Sequence, residues 1–479
     1  MRRTNRQLAI GNGQWHELAS STLARGIIIK VRVLLALVIF IIMSCSSSKE
    51  TSKKIQLITL DPGHFHAALV QKTMYQDVDS VVHVYALTGN DLQLHLDRIN
   101  GYNNRKENPT HWKEVVYTGN DFFEKMIEEK KGNVVVLSGN NERKSEYILK
   151  SLQNGLDVLA DKPMAIDGKE FEQLKQAFDV AKKNNLLLYD IMTERFEITS
   201  ILQREISMMP EIFGTLQKGI PEEPAVVKES THFFYKYVSG NVVTRPPWFF
   251  DVAQQGEGIA DVMTHLVDLV QWECFPNEAI DYTKDIQIDS AKHWTTDLSL
   301  QQFTTLTKVD SFPVYLRKDI SNDRLIKIFA NGEINYTIRG VHAKTTTLWE
   351  YKSAANTGDL YYAMMRGTKA NLIIRQGSEE NYQPTLYIEP IFKSNDIAGY
   401  FKKIQDKFPG VELQPTNTGW KVIIPDKYKE GHEEHFGRVT KNFLEYLKNR
   451  NMPAWEVPNM LAKYYTTTKA FTLIDANGR

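Results

Sequence analysis

The 479 residues lack several things, and each lack closes off a class of function. There are two cysteines, Cys45 and Cys274, so no disulfide framework organises the chain. No cysteine–histidine metal spacing occurs either, and no metal is expected. Lys plus Arg balances Asp plus Glu at 58 each. No basic surplus therefore points to nucleic acid, and no acidic tail points to a charged partner. One long apolar run exists, from Val33 to Met43, and it is too short to read as a spanning helix. Internal repeats and long low-complexity stretches are absent. What is present is 42% hydrophobic and 24% charged residues, a globular profile long enough for two cores.

The apolar run has a basic flank, Lys30 and Arg32, and ends at Ser44-Cys45. That pattern reads as a signal peptide over 1–44, with an uncleaved membrane anchor as the competing reading. Ile-Met-Ser-Cys resembles the lipobox of bacterial lipoproteins. The resemblance implies acylation of Cys45, a tether over 45–54, membrane attachment through lipid alone, and a globular part outside the cytoplasm. The mixed residues 1–26 suit a start codon placed too early.

From Ile55 strands and helices alternate: IQLITL, VVHVYAL, NVVVLSG, DVLAD and LLLYDIM separated by helical segments. This spacing predicts α/β architecture, a doubly wound parallel sheet over 55–192, with ligands at the carboxyl ends of its strands. After Thr193 extended pieces with polar–apolar alternation predict an open, mostly antiparallel sheet within a second α/β domain over 193–479.

Three stretches carry chemistry. The first turn, Asp61-Pro62-Gly63-His64-Phe65-His66, keeps only the middle glycine of G-x-G-x-x-G. His64 and His66 either replace lost backbone donors or line the substrate side. In VLADKPMAID, Pro163 pushes Lys162 out of helical geometry, so the lysine sits in an extended turn beside Asp161. In GEGIADVMTHLVDLVQW, Asp261 and His265 are four apart on one helical face, with Asp268 a turn further. A carboxylate beside an imidazole is what a general acid/base needs, and Gly256 and Gly258 would let backbone approach a ligand. His432 and His435, three apart at a helix start, read as surface residues without a third ligand.

The strand–DPGHFHA–helix start, LSGNN, Asp161-Lys162-Pro163 and Gly-x-Gly-x-x-Asp-x-x-x-His-x-x-Asp together resemble the glucose–fructose oxidoreductase / inositol dehydrogenase (Gfo/Idh/MocA) family. Arg195-Phe196 is similar to that family's R-F step, and Ile212-Phe213-Gly214 to a later one. The likeness runs from Ile55 to Trp272; the tail resembles the C-terminal extension of a Bacteroidetes-type lipoprotein branch. It implies an N-terminal Rossmann domain followed by an α/β domain with an open sheet, NAD or NADP as cofactor, and a homo-oligomer. It also implies catalytic roles: Lys162 on the reacting hydroxyl, His265 as proton acceptor, Asp261 holding the ring. Cofactor contacts would come from Gly63, His64, Phe65, His66, Ser138, Asn140, Asn141, Asp161 and Lys162. A small-molecule carbohydrate would meet Arg195, His232, Tyr235, Lys236 and Trp248.

The resulting expectation is an exported oxidoreductase of a sugar or glycoside with a tightly held, recycled cofactor. Two alternatives stand beside it. One is a glycosidase that oxidises transiently and eliminates. The other is a non-catalytic sugar-binding lipoprotein, to which the altered glycine pattern lends support.

Overall fold

The computed structural model describes residues 54–476 apart from 239–240, 323, 354–357 and 393–395. The signal peptide, tether and Cys45 expected from the sequence lie outside the described residues. No described helix is long and apolar enough to cross a membrane.

Six short strands, Leu57–Leu60 (β1), Val81–Ala86 (β2), Lys113–Thr118 (β3), Val134–Leu137 (β4), Asp157–Asp161 (β5) and Leu188–Ile191 (β6), form a parallel sheet in the order β3-β2-β1-β4-β5-β6. Every residue of β1, β4, β5 and β6 is buried. Strands covered on both faces are mainly apolar rather than alternating, and the aspartates here, Asp157 and Asp161 at the ends of β5 and Asp190 in β6, are hydrogen-bonded. The crossovers are His66–Leu69 (α1), Asn90–Asn104 (α2), Phe122–Glu129 (α3), Lys144–Gln153 (α4) and Gly168–Asn184 (α5). Asp167 caps α5 by accepting from Glu170 N at 2.8 Å, and Asn185 ends it with φ 53°.

Ile198–Ser207 (α6) leads into the second half. Its sheet uses Val226–Tyr235 (β7), Ile286–Ser299 (β8), Leu325–Ile338 (β9), Val341–Lys352 (β10), Leu360–Arg366 (β11), Ala370–Gln376 (β12), Thr385–Pro390 (β13), Glu412–Pro415 (β14) and Trp420–Ile423 (β15). The order is β8-β9-β10-β7-β11-β12-β13-β15-β14, antiparallel except for the parallel β10–β7 pair. Met263–Cys274 (α7) packs beside β7 and β10. The tail helices, His432–Asn449 (α8) and Glu456–Ala476 (α9), return to the first half: Phe436, Val439, Phe443, Met460 and Tyr464 join the core beneath the parallel sheet. The parallel sheet followed by a mixed, mostly antiparallel one is the α/β class expected.

One local expectation fails. The helix read from Gly256 onward begins only at Met263, so Asp261 sits in the turn before it. Gly258 does not free backbone for a ligand: a Cβ there would meet the Ala330 carbonyl oxygen at 1.9 Å, so this glycine lets the turn press against β9.

Candidate active site

A cavity of about 600 Å³ lies between the carboxyl ends of β1, β4 and β5 and the second sheet. One wall carries His64, Phe65, His66, Asn141, Asp161 and Lys162; another carries Ser230, His232 and Lys236 of the β7 strand and its continuation. Asp261 and His265 close the third side. Alternation along β7 explains which residues face in: positions 230, 232 and 236 share one face of the strand.

The Lys162–Pro163 bond is cis, and the lysine ammonium lies 2.5 Å from Asp261 Oδ1. The pair is 12% and 8% exposed, so the ions are largely out of water. Burial alone would raise the Asp261 carboxyl, but the Lys162 charge outweighs it and holds the group below its usual range. This corrects one assignment. Asp261 orients Lys162 and makes no hydrogen bond to His265, because it precedes the helix that would have stacked the two. His265 Nδ1 is buried without a partner. Burial, then the Lys162 ammonium, holds this imidazole well below its usual range, so it is neutral.

Three expected substrate contacts do not reach the cavity. Arg195 donates through Nε to Asp268 Oδ2 at 2.6 Å and through Nη1 to Glu456 Oε2 at 3.0 Å. It is used in a buried ionic network that Lys463 extends to Asp190 at 2.5 Å and Asp268 at 3.1 Å, tying β6, α7 and α9 together. Tyr235 falls on the other face of β7 and packs with Tyr237 and Tyr351. Trp248 lies against Gly63 and donates from Nε1 to Asp91 at 2.7 Å. His232 and Lys236 do line the cavity, and both pair with Asp359, at 2.9 and 2.8 Å.

Sequence reasoning passed over several cavity residues. Asp359 is one; His232 and Lys236 beside it hold it well below the carboxylate range against burial. Trp349 stacks on His232 with ring centroids 5.2 Å apart. Glu194 lines the same space, and burial, with Glu197 next, raises its carboxyl to about 7. His432, read as a surface residue, faces the cavity and stacks on His66 at 5.0 Å. Glu194 carried a nearby signal, its place directly before Arg195-Phe196, and His432 its spacing to His435.

The residues at the first turn fit a dinucleotide in part of their chemistry. Asp61 takes φ 49°, the left-handed position usually given to glycine. A Cβ on Gly63 would meet the Trp248 ring at 2.9 Å and Gly139 Cα at 3.4 Å. Asn141, on the cavity wall, keeps a buried Oδ1 with no partner, an acceptor left for a ligand. Gly63, Ser138 and Asn140 do not reach the large cavity. The Gly63 and His64 N–H groups both donate to Ser138 O at 3.2 Å, and Asn140 donates to Gln254 Oε1 at 2.7 Å. Asn141 donates to Gln254 O and Gln255 O, so the segment from Trp248 to Gln255 lies across the turn like a cover.

A Rossmann sheet with a lysine–aspartate pair at its carboxyl edge, facing an open second sheet, defines an NAD-binding oxidoreductase scaffold. Residues 63–190 match the family model described as "Oxidoreductase family, NAD-binding Rossmann fold", and residues 202–475 match "Putative oxidoreductase C terminal domain". The chain belongs to this Gfo/Idh/MocA oxidoreductase family. It is similar to a solved "putative oxidoreductase" from Parabacteroides merdae at 53% identity and TM-score 0.86, covering 89% of this chain and 98% of that one. More distant likenesses show the fold alone. A Thermotoga maritima structure has 12% identity and TM-score 0.57, covering 88% and 98% of the two chains. A levoglucosan dehydrogenase, in complex with NADH and levoglucosan, has 11% identity and TM-score 0.55, covering 88% and 97%. No curated protein matches this chain.

Proposed function

We propose that the chain oxidises or reduces a hydroxyl or keto carbon of a sugar or glycoside with a nicotinamide cofactor that stays bound through turnover. The observation that carries this reading is the Lys162–Asp261 pair, 2.5 Å apart, on the same cavity as His265. An ammonium fixed by a carboxylate is aimed rather than mobile, and it stabilises alkoxide character on a substrate oxygen. The neutral His265 imidazole, on the cavity wall, accepts the hydroxyl proton. His232, Lys236 and Asp359 give the opposite wall both donors and acceptors, and the Trp349 face offers an apolar surface, a combination suited to a sugar ring. When bound, the nicotinamide supplies the hydride acceptor or donor. The Trp248–Gln255 cover over the first turn favours a cofactor retained between half-reactions. The levoglucosan dehydrogenase likeness supports a carbohydrate substrate.

Export as a lipoprotein through Cys45 belongs to the same proposal and rests on the apolar run ending in Ser44-Cys45. So does a homo-oligomer formed through the second sheet, and the division of the chain near residue 192.

A second reading draws on Glu194. A carboxyl raised to about 7 is partly protonated at neutral pH and can protonate a leaving-group oxygen. That would serve a glycosidase that oxidises, eliminates and reduces back. Mass spectrometry of the protein released under denaturing conditions tests the first reading: a bound nicotinamide dinucleotide and a keto-sugar product are expected. Absence of the dinucleotide, together with unchanged turnover in Lys162→Ala, would sink it. Aglycone released from a chromogenic glycoside with no net keto product selects the second.

A further inference from the structure

Three cavity groups have no place in the proton and hydride chemistry above. Asp161, the last residue of β5, turns its carboxylate to the β1 turn, where His66 Nδ1 stands 2.9 Å and His64 Nδ1 3.5 Å from its Oδ2. One candidate ligand atom from each of the three lies within 4.8 Å of the others. Donors on one tetrahedral zinc ion, at about 2.0–2.1 Å each, are about 3.3 Å apart. The donor atoms therefore need close by no more than about 1.5 Å to share an ion.

The protonation states suit ligation. Burial lowers His66 to about 4 and lowers His64 as well, so both rings are neutral, and an ion would take the place of the proton that His66 Nδ1 donates to Asp161. Asp161 is held well below the usual range despite burial, the two imidazoles being the cause, and is ionised. It is 3% exposed, and its Oδ1 is buried with no hydrogen-bond partner. Two cations stand near. Lys144 donates to the Asp161 backbone carbonyl at 3.1 Å, and burial lowers it to about 8. Lys162 is neutralised by Asp261. Ser138 Oγ donates to Asp161 Oδ2 at 2.9 Å and fixes the carboxylate.

We propose that His64, His66 and Asp161 bind one divalent transition-metal ion whose open coordination positions face the cavity and receive substrate oxygens. Two imidazoles and one carboxylate favour zinc, with cobalt, iron or manganese as lesser fits. Metal binding stands on the geometry alone; its service to a sugar's neighbouring hydroxyls rests on the oxidoreductase reading. No sequence spacing announces this set, because Asp161 joins the His-x-His pair from a strand 95 residues away.

The test uses the full chain without an affinity tag, stripped by chelator and titrated with Co(II), with the visible ligand-field spectrum as readout. Expected are one equivalent bound with ligand-field bands, and affinity at least ~10-fold weaker in His64→Ala and His66→Ala. Asp161→Asn keeps the shape and should weaken binding likewise, with Zn(II) raising the melting temperature of the wild type and not of the variants. A wild type that takes up no Co(II), or variants that bind as the wild type does, overturns the site. Dinucleotide content and sugar-dependent turnover are recorded on the same samples. Turnover without metal uptake overturns the metal site alone. Metal uptake without dinucleotide or turnover upholds the site and overturns the oxidoreductase reading.

Discussion

Glu194→Gln removes a carboxyl that the fold protonates against its nature. Burial raises Glu194 from an ordinary value of 4.5 to about 7, with Glu197 second and Asp359 adding to it. Between those values the unfolded chain has released the proton and the native chain still holds it. Stability from this group is therefore fully present below 4.5 and is lost as the pH climbs through 7. A shift of that size amounts to about 3.4 kcal/mol. Water in the cavity reaches part of the side chain, which discounts the figure to about 2 kcal/mol. The amide has the same shape and no titration, so Glu194→Gln should match the wild type at pH 4 and exceed it at pH 8. For a chain of this length about 2 kcal/mol is about 2 °C in melting temperature. Thermal unfolding of both proteins across that range measures the difference directly. A difference that does not grow with pH would show that Glu194 is solvated and ordinary, and the glycosidase reading would lose its acid.

Other substitutions separate the roles assigned to single residues. Lys162→Ala should lower kcat by about 10²–10⁴, and it leaves Asp261 buried and unpaired, so melting should fall as well; steady-state kinetics with each candidate sugar measures the first effect. Arg195→Met breaks a buried network with Asp268 and Glu456, and a loss of about 3–5 kcal/mol is expected with KM unchanged in the surviving folded fraction. A raised KM with intact stability would return Arg195 to the substrate. Asp359→Asn removes the carboxylate that His232 and Lys236 share, and KM should rise more than kcat falls. Gly63→Ala drives a methyl into the Trp248 ring at 2.9 Å, and the dinucleotide recovered per chain should fall by at least ~10-fold.

The parallel sheet was legible because its central strands are buried on both faces and therefore mostly apolar, as LITL and VVVL show. The lysine turn was legible because proline constrains its neighbour. The partner of that lysine was not. Helical spacing joins Asp261 to His265 only if the helix has already begun, and Gly258 pressed on Ala330 delays it to Met263. Arg195 misled for a related reason: an arginine after the last parallel strand can face a ligand or a buried acid, and its acids come from α7 and α9, far along the chain. Asp359 and Trp349 were invisible because each joins the cavity from a distant part of the chain with no local pattern of its own, and His432 was misplaced because its histidine spacing says nothing of the cavity it faces.

The irregular first turn looks like damage in sequence and like substitution in space. Asp61 carries the left-handed backbone that a glycine would, and His66 fills the position where a third glycine would stand. The ring fits because Asp161 holds its Nδ1 at 2.9 Å while His432 stacks on it and Phe436 packs at 5.1 Å, both from α8. The C-terminal extension thus supplies part of the wall that the altered turn needs, and the two should not be separable. Phe436 is fully buried, so Phe436→Ala should cost about 3–5 kcal/mol through the cavity it leaves. If the turn depends on α8, the same change should also free His66, raising its pKa from about 4 toward the ordinary imidazole value, read by NMR titration of the ring. A destabilised protein whose His66 titrates as before would mean that Asp161 alone holds the ring and that the tail is only a prop.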